Sequence, residues 1–153
     1  MKKIKSEGIS ADVLESLCYS AYYAGIVQNH CSVGLTHSFA HQLGHNGISH
    51  GAANAIFLIP VIDYNAKKLD KYNILATEIG HKSIFHLTED IQKILTESLI
   101  IPSKEKLESI VSDKTRIVSG AMEDITFRTN PVIMDRSEVE TVFENAMKGY
   151  MYV

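Results

Sequence analysis

Along the 153-residue chain, apolar positions recur with the period of a helix and not of a strand. Residues 10–30, "SADVLESLCYSAYYAGIVQNH", place Val13, Leu14, Leu17, Cys18, Ala21, Ala24 and Ile26 in a stripe wide enough for a buried helix. Ser10 is positioned to cap it, and Asp12 lies in the first turn, where a negative charge is favoured. Residues 51–67, "GAANAIFLIPVIDYNAK", are nearly all apolar and too many for one strand. Pro60 has no amide donor and clashes with the preceding turn, which predicts a kink or a division of that helix. Thr88 is the expected cap of "EDIQKILTESLI", whose Ile91, Ile94, Leu95 and Leu99 share a face. Pro102 is expected to end that helix, and Ser103 restarts the chain with "KEKLESIVSD". The final segment carries Val139, Val142, Phe143, Ala146 and Met147 at i, i+3, i+4, i+7 and i+8. Ser137 and Glu140 fit a capping box ahead of it, and Gly149 fits a left-handed C-cap. No stretch alternates with period two. The pattern predicts an all-α fold of seven or eight helices.

Composition narrows the function classes. The net charge is -3 and the pI near 6.1, which argues against a nucleic-acid or anionic-membrane partner. No apolar run approaches the length of a membrane span. The basic tip "MKKIKSEGIS" has no apolar stretch behind it and does not read as a signal peptide, so a cytoplasmic location is expected. The two cysteines, Cys18 and Cys31, lie in or beside the first helical pattern and read as buried thiols in a reducing compartment. No internal repeat or linker is visible, so residues 1–153 read as one compact helical unit. Tyr19, Tyr22 and Tyr23 are expected to be packing residues.

The candidate chemistry sits in "GLTHSFAHQLGHNGISHGAANA", residues 34–55, which holds four of the seven histidines: His37, His41, His45 and His50. The first three are spaced by four and stack along one face if the helix continues through them. Gly47 can then turn the chain back toward His50. Solvated histidines, each bonded to a nearby backbone group, are one reading. A metal site is the other, because neutral imidazole suits zinc and divalent iron, and an i, i+4 pair offers two nitrogens to one ion. No acidic residue lies between Leu35 and Asn54, so a carboxylate would have to come from elsewhere. "GISHGAANA" is not a G-x-G-x-x-G nucleotide loop, and neither Ser38 with His41 nor Ser49 with His50 sits in a nucleophile elbow.

The frame G-L-x-H-x-x-x-H-x-L-G, a short loop, then H-G-x-A-N-A-x-x-L-x-P resembles the C-terminal signature of the iron-containing alcohol dehydrogenases. "AYYAGIVQNHCSVGL" before it, "IIPSKEKLESI" after it and "TNPVIMDRSEVETVFENAMKG" at the end agree more loosely. The resemblance implies a helical, dehydroquinate-synthase-like metal-binding domain over 1–153. Its cofactors would be divalent iron or zinc, weakly held in this chain, and NAD(P), and its substrates small alcohols or aldehydes. By motif position it implies His37 and His50 as metal ligands, and His41 as the catalytic, cofactor-facing histidine beside the nicotinamide. His45 receives no role.

In the family, one aspartate and one further histidine complete the metal site from upstream, and a dinucleotide-binding α/β domain precedes the helices. Neither is read in this sequence. NAD(P) would then be used only with a separately supplied dinucleotide domain, and that missing N-terminal half is the expected partner. Apolar surface facing it would favour homo-oligomers. The reading is therefore the C-terminal portion of an NAD(P)-dependent alcohol dehydrogenase, incomplete alone. A stand-alone helical metal-binding protein, with His41 or His45 replacing a lost ligand, and an interaction domain without a metal remain the alternatives.

Overall fold

The computed structural model describes residues 8–97 and 102–151. Among these, eight α-helices and two short 3-10 turns are present and no strand, as the apolar periodicity predicts. The chain forms two compact units, residues 1–33 and 34–153. The first contains α1 (Ala11–Cys31), capped by the Ser10 hydroxyl, which accepts from the Val13 amide at 3.4 Å. Its expected burial is not found. Val13 is buried, but Leu14, Leu17, Tyr19, Tyr22, Tyr23 and Ile26 are exposed, as are both cysteines, which are free thiols. Periodicity marks which face of a helix is apolar; covering that face takes a second layer, and no other helix is described within this unit.

The second unit contains α2 (Leu35–Gln42), a 3-10 turn (Leu43–Asn46), α3 (His50–Ala66), α4 (Lys71–Glu78), α5 (Ile84–Glu97), α6 (Lys104–Ser112), α7 (Lys114–Glu123), a second 3-10 turn (Ile125–Thr129) and α8 (Arg136–Met151). Its core is one cluster. Leu35, Phe39 and Leu43 recur every four residues and are fully buried; on α3, Ala53, Ile56, Phe57 and Val61 face them. Phe39 and Phe57 stack at 4.2 Å between ring centroids, with Phe143 of α8 about 6 Å from both. Helix α8 buries the five residues its sequence pattern selects, against Ile117, Val118 and Ala121 of α7 and Ile110 of α6. Because Leu35 and Phe39 point inward, His37 and His41, roughly half a turn away on the same helix, are left outside the core.

A buried amide pair ties the ends of these elements together. Asn130 accepts from the Leu35 amide at 3.3 Å, exchanges hydrogen bonds with the Asn65 side chain at 3.2 and 3.3 Å, and donates to the Val132 carbonyl at 2.8 Å. Gly34 is required here, since a Cβ would lie 2.9 Å from Asn130 Oδ1 and 3.3 Å from its Cα. Arg116 secures the opposite end of α2, donating to the Gln42 carbonyl, Asn46 Oδ1 and Asp113 Oδ2.

Several local expectations are corrected. Pro60 does not divide its helix: α3 runs unbroken from His50 to Ala66, since the single amide a proline lacks is outweighed by the burial of Ile56, Phe57 and Val61 on one face. Thr88 is not a cap. Helix α5 begins one turn earlier, and the buried Thr88 hydroxyl donates to the Phe85 carbonyl at 3.0 Å. Leu99 and the expected stop before Pro102 lie outside the described residues. Gly149 lies inside α8 and does not adopt a positive φ.

The capping box of α8 sits two residues earlier than expected. Asp135 Oδ1 accepts from the Glu138 amide at 2.9 Å, and Glu138 Oε2 accepts from the Asp135 amide at 3.0 Å. Ser137 only donates its hydroxyl to Asp135, at 2.8 Å. The segment D-R-S-E-V-E contains two overlapping boxes of the same form, and the one that lengthens the helix by two residues is used. The Glu138 amide and the Ser137 hydroxyl hold the Asp135 carboxyl below the usual range, and the Tyr64 hydroxyl and the Asp135 amide do the same for Glu138. Carboxylates with lowered native values stabilise the fold fully above the ordinary carboxylate pKa of about 4 and progressively less as pH falls through the native values. Asp135→Ala is therefore expected to lower stability at neutral pH, by loss of the N-cap, and to flatten the loss of stability below pH about 4. Urea midpoints at pH 7 and pH 3 measure both. Equal midpoints for the variant and the parent at pH 7 would show that the box carries no stability.

Candidate metal centre

His37 and His41 lie on the outer face of α2, one turn apart, with ring centroids 5.4 Å from each other. After Gln42 the helix tightens into the 3-10 turn, and Gly47, at φ 67°, reverses the chain. The Ile48 amide closes that reversal on the Leu43 carbonyl at 3.4 Å while the Ile48 side chain anchors in the core. Ser49 then caps α3, accepting from the Ala52 amide at 3.4 Å, so that His50 is its first residue. The result returns His50 to His37: their Nε2 atoms are 3.0 Å apart and their ring centroids 4.6 Å. His41 completes the group, its ring stacked on His50 at 5.4 Å. One nitrogen from each of the three rings lies within 4.8 Å of the others.

His45 is not part of this group among the described residues. A 3-10 turn advances about 120° per residue instead of 100°. The change of helix type after Gln42 therefore rotates His45 off the face that an unbroken helix would have given it. It is exposed and acts on Asp113, whose carboxyl is held low chiefly by hydrogen bonds from Arg116 and Asn46, with His45 adding to the effect.

The carboxylate absent from the histidine segment comes from position 124, which sequence reasoning missed. Asp124 Oδ2 lies 2.7 Å from His41 Nδ1. The Asp124 side chain is 15% exposed, against 41% for His41. Burial pushes its carboxyl up, but hydrogen bonds from Thr126 and His41 outweigh that and hold it below the usual carboxylate value. His37 is shifted in the sense that favours ligation. Burial lowers its pKa first, and the neighbouring His50 and His41 add to this, with Asp124 opposing. A neutral imidazole with its lone pair free is the form that binds a metal.

The donor set fits a divalent ion of the zinc or iron type. Bonds of about 2.0–2.1 Å in a tetrahedral shell place two nitrogens roughly 3.3 Å apart. The His37 and His50 pair is within a few tenths of an ångström of that separation. All three rings are half-buried or exposed, so an ion and a small ligand have access.

Fold and site together define an all-α protein with an accessible histidine cluster where one helix ends and the next begins. The chain belongs to the Fe-containing alcohol dehydrogenase family, C-terminal, whose pattern it matches over residues 1–147. Among curated relatives it is 28% identical to alcohol dehydrogenase 4 of Schizosaccharomyces pombe, over 96% of this chain and 36% of the relative. It is 29% identical to the NADPH-dependent butanol dehydrogenase of Clostridium saccharobutylicum, over 88% and 38%. With the NAD-dependent methanol dehydrogenase of Bacillus methanolicus it shares 22% identity over 96% and 41%. The chain thus spans about two-fifths of the length of these relatives. No helix among the described residues is long and apolar enough to cross a membrane.

Proposed function

We propose that this chain is the metal-binding, C-terminal portion of an NAD(P)-dependent alcohol dehydrogenase acting on small alcohols and aldehydes. The observation that carries the reading is the convergence of His37 and His50 Nε2 at 3.0 Å, from two helices joined by a glycine reversal. These two side chains hold a divalent iron or zinc ion, and His41 stands beside it, toward substrate and nicotinamide. An ion bound there supplies Lewis acidity, lowering the pKa of an alcohol oxygen. The residues of this chain orient the site: the core on the inner face of α2 fixes the helix that presents His37, and the Ser49 cap fixes the start of α3 that presents His50. A nicotinamide held by a separately supplied dinucleotide-binding portion would accept the hydride. Names of the relatives support alcohol chemistry and both nicotinamide cofactors. A cytoplasmic homo-oligomer belongs to the same proposal.

The test is complementation. Combined with the N-terminal portion of a relative, the chain is expected to support alcohol-dependent reduction of NAD(P)+ that requires an added divalent metal. The His37→Ala chain is expected to lose that activity while still associating with the N-terminal portion. Equal activity with and without the His37 imidazole would contradict the proposal.

A further inference from the structure

We propose that Asp124 is a positioning residue that fixes His41 in the Nδ1–H tautomer and turns its Nε2 lone pair toward the space shared with His37 and His50. The inference starts from proton counting. Thr126 has one hydroxyl proton, and a carboxylate only accepts, so the 2.7 Å contact is Thr126 Oγ1–H donating to Asp124 Oδ1. The Thr126 amide donates to the same oxygen at 2.8 Å. Ser38, fully buried on α2, is 2.8 Å from Thr126 Oγ1 and must be the donor there, because the threonine proton is already committed. Asp124 Oδ1 is therefore saturated, and the plane of the carboxyl is set by a chain that begins on the same helix as His41. Oδ2 is left facing His41 Nδ1 at 2.7 Å. An ionised carboxylate has no proton to give, so the proton in that contact belongs to the ring, and in the neutral ring the other nitrogen carries the lone pair.

Histidines at metal and catalytic centres are commonly held this way, the distal nitrogen bonded to a carboxylate that sets tautomer and ring angle. Here the device links residues 83 positions apart and reaches His41, not the two residues assigned as ligands. A ring so fixed offers an acceptor nitrogen at the mouth of the site, ready for the hydroxyl of an alcohol or of water. That use of the lone pair rests on the functional reading above. The tautomer does not.

Asp124→Asn tests it without disturbing the turn. The asparagine Oδ1 still caps the Thr126 amide, which leaves its NH2 group facing His41 Nδ1. The ring must then accept there and carry its proton on Nε2. A carboxylate-to-amide change of this kind imposes the wrong histidine tautomer in serine proteases. Long-range 15N–1H spectra of the labelled chain, recorded well above the imidazole reference pKa of about 6.5, read the tautomer directly. The expected result is Nδ1–H for His41 in the parent chain and Nε2–H in Asp124→Asn, with the amide spectrum nearly unchanged. Asp124→Ala, which leaves Nδ1 without a partner, is expected to lose the Nδ1–H preference as well. The same tautomer in parent and Asp124→Asn, or Nε2–H in the parent, would overturn the proposal. A Zn2+ titration run in parallel keeps the two ideas separate. Absent Zn2+ binding counts against the metal centre, whereas the tautomer spectra decide the role of Asp124 whatever the titration shows.

Discussion

Phe57→Ala is expected to lower stability by about 3–5 kcal/mol, a large part of the 5–15 kcal/mol that holds a domain of this size together. Phe57 is fully buried, stacks on Phe39 at 4.2 Å and lies 5.9 Å from Phe143, so one ring joins α2, α3 and α8. Truncation removes the transfer energy of the ring and leaves a cavity that neighbours on three helices cannot close at once. The consequence reaches the site, since the same contacts set the angle at which α2 and α3 present His37 and His50. The matched control is Phe85→Ala on α5, where the ring is 63% exposed and a change within about 0.5 kcal/mol is expected. Urea unfolding measures both. A Phe57→Ala cost below about 1 kcal/mol would show that the aromatic cluster is not the keystone of the core.

The second large effect falls on metal affinity. His37→Ala or His50→Ala is expected to weaken Zn2+ binding by at least about 100-fold, beyond the 10–100-fold typical of losing an outer-shell partner. His45→Ala is expected to change it little, because the 3-10 turn takes His45 out of the cluster. Binding should also fade as pH falls below the imidazole reference of about 6.5, because protons compete for the lone pairs and burial holds the His37 value under that reference. Isothermal titration at pH 7.5 and pH 5.5 reads both effects. Equal losses at His37, His45 and His50 would mark a loose surface cluster instead of a built centre.

Much of the fold and part of this site were legible in the sequence, for reasons that differ by element. The buried face of α8 follows directly from its spacing, because the apolar residues of a single helix suffice to define a face. Its start was misplaced because Asp135–Glu138 and Ser137–Glu140 satisfy the same capping pattern, and only the hydrogen bonds distinguish them. The pairing of His37 with His50 was readable from a signature and from Gly47, whose left-handed conformation reverses the chain. The separation of His45 was not, since a switch from α to 3-10 geometry after Gln42 leaves no mark in the pattern. Asp124 was invisible for a different reason. It meets His41 across 83 residues, and the only local sign is the short D-x-T turn in which Thr126 bonds back to it. The face of α1 shows the reverse case, where the apolar stripe was correctly seen but its burial depends on a surface that a helix cannot supply for itself.

A single metal centre at His37 and His50 would be visible in an anomalous difference map at the zinc edge, from crystals equilibrated with Zn2+. One strong peak is expected about 2.0–2.1 Å from Nε2 of both His37 and His50, on the side where His41 closes the group. A strong peak on His45 or another surface histidine, with none between His37 and His50, would contradict it.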